Sequence, residues 1–373
     1  MINKQRLVDQ FLQLVQIDSE TGDEAEIAQV LKTIFTDLGL NVIEDDAKSK
    51  TGFGAGNLIC TLPAKQKATP IYFTSHMDTV FPGKGVKPKI EGDLIKSDGT
   101  TILGADDKAG LATMIEAIHC LKEQNLPHGQ IQFVITVGEE SGLVGAKALD
   151  PALIDAEFGY ALDSDGPVGD IVISAPTQMK LLAKVKGKTA HAGVAPEKGV
   201  SAITIASKAI TNMPLGRIDQ ETTANIGRFE GGQKTNIVCD YVEVLAEARS
   251  LEPAKVKKQV SQMEEAFVDA ARELGGDVEI DTQVMYTGFK QAADDQVVRI
   301  AEQAIDQIGR TSALKQSGGG SDANIIAGFG IPTVNLAVGY EEIHTTNEKM
   351  PITELVKLTE LVLEIIKQVA SQS

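Results

Sequence analysis

Apolar positions recur along this chain in two alternating rhythms. Early on they fall at Leu7, Val8, Phe11, Leu12, Leu14 and Val15. That is the three-to-four spacing of one helix face. It predicts a helix over 6–16, a second over 24–38, and a third over 108–123 with Leu111, Met114, Ile115 and Ile118 as its inner stripe. Short apolar or β-branched runs read as buried strands at 57–62, 71–75 and 131–137. Helix and strand in this alternation imply an α/β domain, a mixed and mostly parallel sheet flanked by helices.

The rhythm changes after residue 176. The stretch 178–188 alternates polar and apolar, as a half-exposed strand does, and a helix pattern follows at 200–212. Strands at 223–229 and 236–249, a helix at 252–274 and a strand at 277–284 complete the order β-α-β-β-α-β. That order is the pattern of a ferredoxin-like α+β unit with one open sheet face. It predicts an inserted domain at 177–286 between the two parts, 1–176 and 287–373, of a discontinuous first domain. A helix at 295–308, a strand at 333–337 and a last helix at 353–370 would finish the first sheet.

Charge and cysteine usage narrow the function classes. A formal net charge of -17 argues against nucleic acid and anionic membrane as partners, since both need basic surfaces. The three cysteines, Cys60, Cys120 and Cys239, are widely spaced and odd in number, which indicates neither a disulfide framework nor a metal knuckle. The first segment lacks the apolar core and cleavage site of a signal peptide, and no stretch approaches the length of a membrane span. The expectation is a cytoplasmic protein.

Candidate chemistry sits where apolar runs end. The run 71–75 delivers His76 and Asp78, and sites in open α/β sheets lie beyond the carboxyl ends of strands. His76 reads as a metal ligand with Asp78 orienting its imidazole, or as part of a plain surface turn. Asp106 and Asp107 precede an amphipathic helix, so one acid can cap it while the other binds metal. The run 131–137 ends at Gly138, and Glu139 and Glu140 follow at once. Both can serve one site only if the chain turns there. Asp163 follows a short apolar run, and His344 sits in a loop before the last helix. Together these supply two imidazoles and three carboxylates as ligands. Two three-ligand sites that share one carboxylate need that set. Mixed His and carboxylate ligation suits two Zn²⁺, with Mn²⁺ or Co²⁺ as substitutes. Ions about 3.5–4 Å apart can hold and acidify one bridging water. Glu139, beside a ligand, then fits the general base.

The chain resembles the dinuclear zinc hydrolases that include peptidase T, glutamate carboxypeptidase and the aminoacylases, and the peptidase T branch most. The motifs HMDTV, GADDKAG, GEESGLVGAK, GYALDSDG and the HAG of TAHAG carry the resemblance, in the family's order and nearly end to end. It implies His76, Asp106 and Asp163 on one ion and Asp106, Glu140 and His344 on the other. It also implies Asp78 behind His76, Glu139 as base and a cis peptide after Asp106. The inserted domain would be a lid that also makes a homodimer. In that lid His191 would stabilise the oxyanion, and Asn236 and Arg249 would meet a substrate carboxylate. For Arg249 a salt bridge at the end of a strand is an equal reading. Gly319 and Gly320, in SGGGSDAN, resemble a substrate loop whose backbone approaches the ligand.

The leading expectation is therefore a metal-dependent exopeptidase for short peptides, a tripeptide aminopeptidase first. A carboxypeptidase or an N-acyl amino acid deacylase could use the same metal site. A dinucleotide-binding oxidoreductase fits less well, because the glycines of GFGAGN precede their strand instead of following one. A non-catalytic peptide-binding protein would need a missing ligand or base, and none is missing.

Overall fold

The structure is a computed structural model that describes residues 2–372. It divides into two compact units: one takes the chain up to Ser174, Lys290–Gln316 and Ser321 onward, the other Ala175–Phe289 with Ser317–Gly320.

Phe133 anchors the core of the first unit. Its ring lies 6.0 Å from Phe35 and 6.1 Å from Phe73, and Phe73 stacks on Tyr160 at 5.7 Å. The strands Ile71–His76 and Ile131–Thr136 are buried at every position, because both of their faces are covered. Successive side chains alternate between those faces. Ile71, Phe73, Phe133 and Ile135 enter the main core, while Tyr72 and Val134 pack with Leu149, Ile154 and Ile326 on the other side. A strand buried on both faces reads as a continuous apolar run, which is why these strands are visible in the sequence.

The sheet runs in the order Asn41–Glu44, Leu58–Leu62, Ile131–Thr136, Ile71–His76, Phe158–Ser164, Thr333–Ala337, Asp170–Ala175. Ile71–His76 pairs in parallel with both neighbours, and Phe158–Ser164 pairs in parallel with Thr333–Ala337. Antiparallel pairs flank this parallel centre. The carboxyl ends of the central strands thus point one way, and the candidate chemistry sits there. Asp170–Ala175 and Ala313–Gln316 are strands that the apolar pattern does not single out; they pair with each other in parallel.

In the second unit the strands run Gly216–Arg217, Thr222–Gly231, Tyr241–Ser250, Thr177–Lys186, Asp277–Tyr286, antiparallel throughout. The helices Ala202–Asn212 and Pro253–Leu274 pack on one face through Leu181, Val185, Val244, Ile205 and Phe267. One boundary differs from the sequence reading. The strand expected from 236 begins only at Tyr241, and Asn236 lies in a turn before it. The segment pairs instead with the 188–200 loop: Ala192 N donates to Asn236 O at 3.0 Å and Val238 N to Ala190 O at 2.9 Å. Ile237 and Val238 imitate a strand pattern because they bridge to that loop.

Truncating the central ring should be expensive. Phe133→Ala is expected to lower unfolding stability by about 3–5 kcal/mol. Urea unfolding followed by far-ultraviolet circular dichroism measures this, and a loss below about 1 kcal/mol would contradict a closed core around Phe133.

Candidate metal centre

His76 is the last residue of its strand, and both ring nitrogens are engaged. Nδ1 lies 3.0 Å from the Asp78 carbonyl and 3.4 Å from Asp78 Oδ1. Nε2 lies 3.1 Å from Asp106 Oδ1 and 3.7 Å from Asp163 Oδ1. The Asp78 carboxylate also accepts from Thr21 Oγ1 at 2.7 Å, Glu139 N at 3.0 Å and Glu140 N at 3.2 Å. One buried acid therefore orients the imidazole and pins the turn that carries both glutamates. That turn requires glycine at 138. Gly138 has φ +59°, and a Cβ there would meet the Phe53 ring at 2.2 Å.

Asp106 stands at a break. The segment Ala105–Glu123 is non-helical at Asp106 and Asp107, their peptide bond is cis, and the regular helix starts at Lys108. Asp107 Oδ1 accepts from Gly110 N at 3.0 Å, so Asp107 caps the helix while Asp106 faces the histidines. Asp106 Oδ2 lies 3.2 Å from His344 Nε2, and Glu140 Oε1 lies 2.9 Å from the same nitrogen. Asp163 is held in place through its backbone: its N–H donates to Asn335 Oδ1 at 3.0 Å and its carbonyl accepts from Asn335 Nδ2 at 2.7 Å.

Two groups of donors result, His76–Asp106–Asp163 and Asp106–Glu140–His344, each using a different oxygen of Asp106. Donor atoms about 2.0–2.1 Å from a tetrahedral ion lie roughly 3.4 Å apart. The contacts of 2.9–3.7 Å within these groups match that spacing. The ligand atoms of His76, Asp106 and Glu140 also lie within 4.8 Å of one another. The residues present fit a pair of divalent cations.

The electrostatics point the same way. Burial, with the charge of Asp163 next, pushes the Asp107 and Glu139 carboxyls well above the usual range. Burial also raises Asp163 to about 7. Burial opposes charge on His76, but hydrogen bonds to Asp106, Asp163 and Asp78 outweigh it and raise the imidazole well above its ordinary value. Hydrogen bonds to Asp106 and Glu140 raise His344 to about 10. The buried Lys108 ammonium is the nearby cation; it donates to Ser19 Oγ and the Met77 carbonyl, both at 2.7 Å, and burial lowers it to about 8.

Several supporting residues escape sequence reasoning. Lys108 reads as a solvated lysine at the start of a helix. Glu348 accepts three backbone N–H groups around Asp106, yet it reads as one more acid in a charged loop. Asp322 accepts from Thr136 Oγ1, and its Oδ1 has no hydrogen-bond partner among the described residues. The remaining candidates belong to the second unit. His191 and Asn236 are exposed neighbours in paired loops. Arg249 pairs with Glu247 at 2.9 Å, and its Nη1 lies 3.4 Å from Tyr286 Oη and from the Gly318 carbonyl. Gly320 lies against Tyr286, where a Cβ would sit 2.3 Å from the ring; Gly319 N donates to Ser317 Oγ at 3.0 Å.

The model of Peptidase family M20/M25/M40 matches residues 72–368. The chain belongs to this family. It is a peptidase family, and both donor groups lie within the matched region. The crystal structure of aminopeptidase PepT from Bacillus cereus ATCC 10987 is 67% identical, with TM-score 0.94 over 99% of both chains. A tripeptidase structure from Staphylococcus aureus subsp. aureus Mu50 is 56% identical, with TM-score 0.97 over 100% of both chains. The uncharacterized protein YqjE of Bacillus subtilis strain 168 is 66% identical over 370 residues, 99% of this chain and 100% of the relative.

Metal uptake by this family member should release protons and weaken as pH falls. The folded values raised for Asp163, to about 7, and His344, to about 10, mean that both hold protons that an ion must displace near neutrality. Calorimetric titration of metal-free protein in buffers of different ionisation enthalpy checks the sign. Uptake independent of both buffer and pH between 6 and 8 would contradict the ligand assignment.

Proposed function

We propose that this protein is a two-zinc aminopeptidase that removes the N-terminal residue from short peptides, tripeptides above all. The use of both Asp106 oxygens by separate donor groups carries the two-ion reading. The 67% identical aminopeptidase and the 56% identical tripeptidase support the choice of substrate.

His76, Asp106 and Asp163 would hold one ion, and Asp106, Glu140 and His344 the other. Nitrogen and oxygen donors without sulfur suit Zn²⁺, and leave Mn²⁺ or Co²⁺ able to replace it. Bound there, the ions supply Lewis acidity toward the scissile carbonyl and lower the pKa of the attacking water. Asp78 keeps the His76 proton on Nδ1, which leaves the Nε2 lone pair for the ligand position. Glu139 stands outside both donor groups, and burial raises its pKa well above the usual carboxylate value. It takes the proton of the attacking water and returns it to the leaving amine nitrogen. We assign His191 to the oxyanion, Arg249 and Asn236 to the peptide carboxylate, and the Gly319 and Gly320 backbone to the substrate main chain. The second unit acts as the lid. We assign the homodimer contact to its edge strand Asp277–Tyr286, the last in its sheet order. Three free cysteines fit a reducing cytoplasm, and among the described residues no helix is long and apolar enough to cross a membrane.

Stripping the protein of metal should abolish hydrolysis of Ala-Ala-Ala, and Zn²⁺, Mn²⁺ or Co²⁺ should restore it. With a tripeptide of three different residues, such as Leu-Gly-Phe, mass analysis should find the free N-terminal residue and the dipeptide from the C-terminal side, and an N-terminally blocked tripeptide should resist attack. Release of the C-terminal residue instead would move the protein to a carboxypeptidase. Glu139→Gln is expected to lower kcat by about 10²–10⁴-fold while both ions remain bound; turnover near wild type in that variant would remove Glu139 from the mechanism.

A further inference from the structure

Glu348 belongs to neither donor group, yet it grips the chain at Asp106. Its side chain is 1% exposed. Oε2 accepts from Leu103 N and Gly104 N, both at 2.7 Å, and Oε1 accepts from Asp106 N at 3.0 Å. Those N–H groups precede the regular helix, so they have no helical carbonyl partner. Glu348 lies on the loop that carries His344. That loop is closed on itself by Glu348 N donating to Thr345 O at 3.1 Å and by the Glu341–Lys349 pair at 2.9 and 3.0 Å. It is also fastened where Lys349–Pro351 pairs with Leu94–Lys96. One carboxylate therefore ties the loop that bears His344 to the backbone of Asp106.

His344 needs such a tie. Its side chain is 48% exposed and its φ is +62°, so little packing around the ring itself fixes it. His76, by contrast, is buried at the end of a strand. We propose that Glu348 is a positioning residue that sets the separation of His344 from Asp106 and so determines whether the second ion binds. The inference rests on the two-ion reading above. It predicts an effect that is selective between the ions. The His76–Asp106–Asp163 group keeps two strand-borne members, His76 and Asp163, without Glu348, whereas the Asp106–Glu140–His344 group loses the tie between its loop-borne histidine and Asp106.

The chemistry of the clasp supplies a sharp variant. Glu348→Gln keeps the shape, and its amide oxygen can still accept from Leu103 and Gly104. Its NH2 group then faces the Asp106 N–H, donor against donor. Glu348→Asp keeps the charge but is one methylene short. Arg6→Ala is the control: it breaks the pair at 2.6 Å between Arg6, partly exposed on the N-terminal helix, and the buried Glu116, and lowers stability without touching either donor group.

The experiment titrates Co²⁺ into metal-free full-length protein, by calorimetry and by visible absorption, with the melting temperature recorded in parallel. The wild type should bind two ions. In Glu348→Gln and Glu348→Asp the first ion should bind as in wild type. The second should bind about 10–100-fold more weakly, with a changed visible spectrum. Arg6→Ala should melt earlier yet bind both ions with the wild-type spectrum. Unchanged affinity and spectrum for both ions in the Gln and Asp variants would overturn the inference while leaving the two-ion reading intact. Equal weakening of both ions would also overturn it, since the effect would not be selective. A wild type that binds fewer than two ions would overturn the two-ion reading, and this inference with it.

Discussion

The structure depends on one constraint: like charges are buried together at the end of a sheet. Two carboxylates about 4 Å apart repel by roughly 4 kcal/mol at an effective dielectric constant of 20, and more in drier surroundings. Asp106, Asp107, Glu139 and Asp163 crowd into such a region. Lys108, two imidazoles and a set of backbone N–H groups only partly offset their repulsion. Burial first, and the remaining repulsion after it, raises Asp107, Glu139 and Asp163. A fold does not gather acids in this way for stability. The arrangement makes sense as one that stays protonated until divalent cations replace the protons. The same repulsion that costs stability would strengthen the hold on divalent cations.

The parallel sheet is what allows the gathering. Adjacent parallel strands end on the same side, so His76, the Glu139–Glu140 turn and Asp163 converge with no long excursion of the chain. Asp78 then couples two of these strand ends, because one carboxylate accepts from both glutamate N–H groups while facing the His76 ring. A loop-built site would need each donor fixed separately. Here the register of buried strands fixes most of them, and Phe133 and Phe73 hold that register from beneath.

Much of this was legible in the sequence, for definite reasons. Strands buried on both faces leave unbroken apolar runs, so 71–75 and 131–137 could be placed to within a residue of their observed limits. Candidate ligands that directly follow such runs inherit that clarity, as His76 and Glu140 do. The cis bond at Asp106 came from the resemblance and not from the residues. Other features left no trace. Asp170–Ala175 and Ala313–Gln316 carry apolar runs too short to stand out, and Ile237–Val238 resembles part of a strand, because short apolar stretches satisfy a bridge as readily as a ladder. Lys108 and Glu348 are charged residues in stretches that read as solvated. Their burial depends on partners far away in the chain, namely Ser19 and Met77 for the lysine and Leu103, Gly104 and Asp106 for the glutamate. Pattern reads neighbours in sequence, and these are neighbours only in space.

The two donor groups differ in a way that topology explains. His76 and Asp163 come from strands and lie under cover, with side-chain exposures of 1% and 12%, whereas His344 comes from a loop and is 48% exposed. A site enclosed by strand ends on every side would admit neither water nor substrate. One candidate ligand drawn from a loop leaves an open flank at the cost of rigidity, since a loop holds its side chains less firmly than a buried strand does. The backbone clasp of Glu348 and the short antiparallel pairing of Lys349–Pro351 restore part of that rigidity without closing the flank. The centre is thus fixed on its strand side by packing and on its loop side by hydrogen bonds, and the loop side is where access remains.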